Sequence, residues 1–218
     1  MTRLLILRPE PGASATAARA AALGFEAIPA PLFNIEPRAW PPVDPATLDA
    51  VMMTSANAAR LGGSLLPAYW HLPLFAVGMA TAQAACAAGF SSIHTGAGDV
   101  VALAEILRDH GMGRVLHLCG EDHHVPDAPW VRIERRIVYA AQAIDPPPPL
   151  PEADFILIHS PRAGARLAEI IPDEARIRHR ILAISAAAAQ TAGLGWASFH
   201  IASAPTDDAL LALAANPC

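Results

Sequence analysis

Short aliphatic runs alternate with alanine-rich stretches along the whole chain, the pattern of strand–helix units in a parallel sheet. Leu4 to Leu7 predicts a buried strand with turn residues Pro9 to Gly12 behind it. Ala13 to Leu23 predicts a helix capped by Gly24, and Phe25 to Pro29 a second strand. The prolines from Pro29 through Pro31 and Pro37 to Pro41-Pro42 predict an extended connector rather than a compact element. Beyond it, Val51 to Thr54, Leu74 to Val77 and Ser92 to Thr95 read as strands, with helices of about ten residues between them. Val100 to His110 predicts a further helix and Arg114 to Gly120 a further strand. Apolar and polar residues alternate from Trp130, which argues a half-exposed strand leading out of this region, and Pro146 to Pro149 stiffens the return.

The pattern occurs twice. "DAVMMTSANAARL" from Asp49 is echoed by "DFILIHSPRAGARL" from Asp154, and "LFAVGMATAQAACAAGFSSIHT" from Leu74 by "ILAISAAAAQTAGLGWASFHI" from Ile181. A duplication of this length implies two similar α/β domains with parallel sheets flanked by helices. The strand and helix near Leu4 have no second neighbour before the proline crossing, so they are expected to complete the C-terminal unit. That makes one domain discontinuous: residues 1–35 and 144–218 form the outer domain and 42–137 an inserted one. A two-stranded linker, 36–41 and 138–143, joins them. The cleft between two such lobes is the first place to look for function, and hinge motion is expected across the linker.

Composition narrows the chemistry. The 218 residues are 53% hydrophobic and 16% charged, a globular balance. Aromatics at 6% and a net charge of -5 argue against a nucleic-acid partner. All 15 basic side chains are arginine, which excludes Schiff-base chemistry and a Walker-type phosphate lysine. Cys86, Cys119 and Cys218 are too few and too irregular for a disulfide framework or a zinc site. His117 and the adjacent pair His123-His124 lack the spacing of a metal site and read as strand and polar-loop residues. No run is long enough for a membrane span, and the N-terminal apolar run is too short for a signal peptide. The expectation is a cytoplasmic monomer.

In doubly wound sheets the strand C-termini and the helix starts after them line the ligand crevice. Ser55 to Asn57 and Ser160 to Arg162 sit at two such turns, one per repeat, and Gly78 to Thr81 at a third. These are natural carboxylate sites, although Ser55, Asn57 and Ser160 serve equally as helix N-caps without a ligand. Arg8 and Arg162 can pair with an anionic group of a ligand or lie solvated on the surface. Arg132, Arg135 and Arg136 on the exit strand read as a solvated face, and Gly120-Glu121-Asp122, being acidic, is given no catalytic duty.

Taken in order, "LLILRP", "PLFNIEP", "VMMTSANA", "AVGMATA", the strand ending in Val138-Tyr139 and "FILIHSPRA" resemble uroporphyrinogen-III synthases over essentially the whole chain. The resemblance implies two α/β domains and a cofactor-free, metal-free lyase of heme biosynthesis. Its substrate would be hydroxymethylbilane, a linear tetrapyrrole with eight carboxylates, closed to uroporphyrinogen III with inversion of the last ring. Tyr139 matches the family's tyrosine at the end of the return strand, where a phenol can donate a proton to the departing hydroxyl. Thr81 matches a threonine opening the helix after "AVG" and is the second candidate catalytic residue. Arg8, Ser55, Asn57, Gly78, Ser160 and Arg162 are candidate substrate-binding residues, and a transient contact with the enzyme of the preceding step is left open.

One departure from the family pattern bears on activity. Where a second threonine pair is usual, the chain reads Ala187-Ala188. If the missing hydroxyl were an essential acid, the protein would be an inactive relative that only binds a tetrapyrrole or another small polyanion. If the enzyme's task is mainly to fold the substrate, its loss lowers activity without abolishing it. A periplasmic-type binding protein is disfavoured by the lack of a signal peptide.

Overall fold

The computed structural model describes residues 1–123 and 128–215; His124 and Cys218 lie outside them. In chain order the elements are β1 (Arg3–Ile6), α1 (Gly12–Ala22), β2 (Glu26–Pro29), β3 (Phe33–Pro37), β4 (Ala50–Met53) and α2 (Ala56–Leu61). Then come β5 (Leu74–Ala76), α3 (Met79–Ala87), β6 (Ile93–Thr95), α4 (Val100–Asp109), β7 (Arg114–Gly120) and β8 (Arg132–Ala143). The remainder is β9 (Phe155–Ile158), α5 (Pro161–Ile170), α6 (Asp173–Arg176), β10 (Arg180–Ala183), α7 (Ala186–Ala192), β11 (Ser198–Ile201) and α8 (Asp207–Ala215).

Two sheets form, not one. The five-stranded sheet runs β11-β10-β9-β1-β2, with every pairing parallel. The six-stranded sheet runs β3-β8-β7-β4-β5-β6, parallel from β8 through β6. Contacts divide the chain into one unit of Met1–Asn34 with Gln142–Cys218 and another of Ile35–Ala141. The N-terminal strand β1 thus completes the C-terminal sheet, between β2 and β9. The fold is α/β with one discontinuous unit.

The central strands β4, β5 and β7 of the six-stranded sheet are buried on both faces, so they read as continuous apolar runs. Val51, Met53, Leu74, Ala76, Leu116 and Leu118 enter one core cluster, while Ala50, Met52, Phe75 and Val115 enter the other. That split is the period-two alternation of a strand. In the five-stranded sheet Leu4, Ile6, Phe155, Leu157 and Leu182 share one cluster, and the alternating Leu5, Ile156 and Ile181 are equally buried.

Two local expectations need correction. The helix after β4 covers only Ala56–Leu61 and gives way to a 3-10 stretch, Gly63–Tyr69. Gly63 at φ +73 breaks it, a conformation that costs a glycine little. The second concerns the proline crossing: part of it, Phe33–Pro37, is a strand beside β8 at the sheet edge, where Pro37 needs no ladder partner.

Candidate functional site

The C-terminal ends of β4, β5 and β7, with Tyr139 from within β8, open onto a pocket of about 380 Å³. It is lined by Thr54, Ser55, Val77, Gly98, Gly120 and Tyr139 together with Asp99, Val100, Asp122 and His123. All of these residues belong to the 35–141 unit. Strand C-termini at this edge leave backbone and short polar side chains facing open space, the usual ligand edge of a doubly wound sheet.

Tyr139 reaches the pocket through a β-bulge. Cys119 pairs with Ile137 and Gly120 with Tyr139, so Val138 is the extra residue in β8. The bulge bends the strand and re-aims the side chain that follows. Gly120 receives the ring: a Cβ there would lie 2.5 Å from Tyr139 Cζ. The backbone locks the arrangement, with Glu121 N–H donating to Tyr139 O at 3.0 Å.

The phenol is held protonated. Burial raises its pKa, a hydrogen bond with Ser55 works in the opposite direction, and the charges of Cys119 and Asp122 add to the rise. Ser55 Oγ also accepts the Asn57 N–H at 3.2 Å as N-cap of α2. A serine that accepts from the backbone still has its own hydrogen to give, here to the phenol oxygen. The phenol's proton is then left for the pocket.

Beneath Thr54 lies a buried histidine. Thr54 Oγ1 and His117 Nε2 are 3.0 Å apart, and His117 has no exposed surface. Burial, aided by the charges of His123 and Arg135, pushes the His117 pKa down to about 3, so the ring is neutral. His123 stands edge-on to it, ring centroids 5.9 Å apart. Its Nδ1 lies 2.9 Å from Gly120 O and its Nε2 is 3.2 Å from Arg135 Nη1. Arg136 is spent on backbone oxygens, at 2.8 Å to Pro41 and 2.7 Å to Arg135, while Arg132 pairs with Glu134 at 3.0 Å. The exit-strand arginines thus lie on an exposed face, as expected, and make local contacts there.

Of the residues singled out from sequence, the structure brings Tyr139 and Ser55 together in this pocket. Thr81 is only 4% exposed and does not line it. Gly78 is the N-cap of α3, and Asn57 accepts from Arg60 Nη1 at 3.2 Å. In the other unit Ser160 caps α5 by accepting the Ala163 N–H at 3.2 Å, and the Arg162 guanidinium lies 5.2 Å over the Phe33 ring. Arg8 is engaged within its own unit: its Nη1 donates to Asp207 Oδ1 at 2.9 Å and to Thr16 at 3.2 Å, while the side chain stays 33% exposed.

Asp207 is the hub of that second cluster. Its carboxylate, 5% exposed, also takes Arg19 at 2.5 Å and Thr16 at 2.7 Å, with His159 Nε2 at 3.4 Å. Burial alone would raise its pKa; the adjacent His159 N–H, the Thr16 hydrogen bond and the charge of Arg8 outweigh burial and hold it well below the carboxylate range. Burial also lowers the His159 pKa, so that ring stays uncharged beside the carboxylate without a hydrogen bond to it, and the arginines supply the ion pairing. Sequence reading missed Asp207 and His159, which are distant from Arg8 in the chain. It also passed over Thr54, His117 and Gly120. A lone histidine inside the aliphatic run "VLHLC" and a glycine ending a central strand were the available signals.

Repeat positions place Ala188 in the packing, while Ala187 is exposed. Thr81 is the third residue of α3 and Ala188 the third of α7, and both are buried, at 4% and 0%. A Cβ on Gly164 of α5 would fall 2.6 Å from Ala188 O, so α5 and α7 touch backbone to backbone there. Among the described residues no group of three or more His, Cys, Asp or Glu is arranged to hold a metal, and no helix is long and apolar enough to cross a membrane.

The family model for uroporphyrinogen-III synthase HemD matches residues 14–128, just over half of the chain. Among solved structures, the crystal structure of uroporphyrinogen-III synthetase from Helicobacter pylori is similar at 16% identity and TM-score 0.65, with 100% of each chain covered. A mutant uroporphyrinogen III synthase from the extremely thermophilic bacterium Thermus thermophilus is similar at 17% identity and TM-score 0.52, covering 99% of this chain and 98% of that one. At such identities the likeness speaks to the fold. No curated protein sequence matches.

Proposed function

The chain belongs to the uroporphyrinogen-III synthase family of tetrapyrrole biosynthesis, and from that premise we propose that it cyclises hydroxymethylbilane with inversion of the terminal pyrrole. The observation that carries this reading is the placement of the Tyr139 phenol, which the bulge in β8 and the bare Gly120 set on the wall of the pocket beside Ser55. A protonated phenol there supplies a hydrogen to the departing hydroxyl, so that water leaves and the azafulvene cation forms. The substituted α-carbon of the last ring then bonds to the azafulvene methylene, and its bond to the preceding bridge breaks. That bridge re-bonds at the ring's free α-carbon, whose lost proton restores the phenol; the order of attack is governed by proximity and orientation. The reaction is a carbon–oxygen lyase step that draws on no cofactor.

At about 380 Å³ the pocket is near the lower end of the range for drug-sized ligands, so it suits one end of a linear tetrapyrrole rather than all four rings. The rest of the substrate would extend beyond it. Arg8 is assigned to Asp207 and Thr81 to packing, so neither is given a substrate role. The reading of an inactive binder rested on Ala187 and Ala188; Ala188 occupies a buried helix contact, the position of Thr81 in the other repeat, which favours packing over lost chemistry.

Hydroxymethylbilane supplied to the protein, followed by oxidation and chromatography, tests the assignment. Type III uroporphyrin above the spontaneous background supports it; type I alone removes it.

A further inference from the structure

We infer that His117 is a positioning residue that fixes the Thr54 hydroxyl as a hydrogen-bond donor into the Tyr139 pocket, toward a carboxylate or hydroxyl oxygen of the ligand. The inference rests on the reading of this pocket as the reaction site.

His117 sits in the middle of β7 among Val115, Leu116 and Leu118, where a polar ring is costly unless it is used. Its two nitrogens differ. Nε2 is 3.0 Å from Thr54 Oγ1, while Nδ1 is buried without a hydrogen-bond partner among the described residues. A neutral imidazole carries one N–H and one lone pair. Placing the hydrogen on Nδ1 would orphan a buried donor, which folded proteins tolerate less well than an unused acceptor. The hydrogen therefore belongs on Nε2, donated to Thr54 Oγ1. His123 supports the assignment by contrast: carbonyl oxygens of Gly120 and Glu121 at 2.9 and 3.1 Å from its Nδ1, and Arg135 at its Nε2, fix the opposite tautomer.

The consequence falls on Thr54. With its oxygen accepting from His117, its own hydrogen is free to turn into the pocket that it lines. The opposite tautomer would consume that hydrogen and present only lone pairs, which repel an anionic oxygen. Thr54 and Tyr139 then offer two O–H donors to one ligand, and the buried ring behind Thr54 keeps its donor from turning away.

Two measurements test this. Long-range proton–nitrogen correlations in ¹⁵N-histidine-labelled protein, assigned with His117→Gln, should show His117 as the Nε2–H tautomer; an Nδ1–H tautomer or an imidazolium overturns the inference. In the cyclisation assay Thr54→Val should raise KM about 10-fold, the order of one hydrogen bond to a charged acceptor, with a smaller change in kcat. His117→Leu should match it and the double variant should add little, because both remove the same donor. His117→Gln, whose amide N–H can stand where Nε2–H stood, should recover most of the loss. Additive losses, or a His117→Leu protein with unchanged KM, contradict the inference. A wild-type protein that forms no type III product defeats the functional reading instead, and the tautomer is still decided by the spectrum.

Discussion

The ring of Tyr139 occupies the volume that a side chain on Gly120 would need: a Cβ there falls 2.5 Å from Cζ and 2.7 Å from the phenol oxygen. The contact is to the rigid end of an aromatic, so the conflict cannot be relieved by a small rotation. Gly120→Ala is expected to displace the phenol and lower kcat/KM by roughly 10-fold or more, the scale of a misplaced catalytic group. Gly113→Ala is the control at the start of the same strand, since its Cβ would meet only Asp49 Oδ2 at 3.5 Å. Equal activity in the two variants, with both folded by circular dichroism, would separate Gly120 from Tyr139.

Removing the phenol oxygen alone is the milder change. Tyr139→Phe keeps the ring that packs against the core cluster of Val138, Leu116 and Leu118. Turnover should fall about 10- to 100-fold with little loss of thermal stability, the modest end of general-acid contributions. Wild-type rates in this variant would take Tyr139 out of the mechanism.

Ser55 lowers the Tyr139 pKa against the effect of burial. Ser55→Ala should therefore move the phenol's titration further up in pH, read by ultraviolet difference spectroscopy. It should also cost about 1 kcal/mol of stability through the lost helix cap. A phenol that titrates at unchanged pH would mean that the two hydroxyls do not interact in solution.

Most of the fold was legible because buried parallel strands write themselves as aliphatic runs. "VMM", "LFA" and "FILI" mark β4, β5 and β9, and the repeat marks the two sheets. Assigning β1 to the C-terminal sheet followed from counting which strands had neighbours. The shortened α2 was not legible, because the break depends on Gly63 taking a positive φ that sequence does not display. Within the site, Tyr139 and Ser55 could be found from motif and position. The bulge at Val138, the Gly120 contact and the Thr54–His117 bond arise from strand register, which no local pattern encodes. Arg8 shows another limit: its position fitted a ligand role, and its pairing with Asp207, nearly two hundred residues away, was not visible in the sequence.

Asp207 makes the five-stranded unit sensitive to acid. Its folded pKa is depressed, so its contribution is present above the ordinary carboxylate value of about 3.9 and is lost as pH falls below that value. Asp207→Asn leaves Arg8 and Arg19 without their anion and should cost about 3 kcal/mol at pH 7, measured by urea unfolding, with the deficit shrinking toward pH 2. A variant as stable as wild type at pH 7 would show the pairing to be energetically idle.

His117 adds a second acid dependence at higher pH. An ordinary histidine titrates near 6.5, while burial holds this one down to about 3, with His123 and Arg135 adding to the effect. Between those values the unfolded chain binds a proton that the folded chain refuses, so stability falls as pH falls, by at most about 1.4 kcal/mol per pH unit. Urea midpoints from pH 6.5 to 4.5 should drop less steeply in His117→Leu than in wild type. Parallel slopes would mean that the ring is not held neutral.

Isomer composition measured against enzyme concentration reaches the central claim most directly. Spontaneous closure of hydroxymethylbilane fixes the zero-enzyme intercept as type I. The type III fraction should climb toward the whole product as wild-type protein is added, and Tyr139→Phe should need far more protein to reach the same fraction. Type I alone at every concentration of a folded wild-type protein would contradict the account.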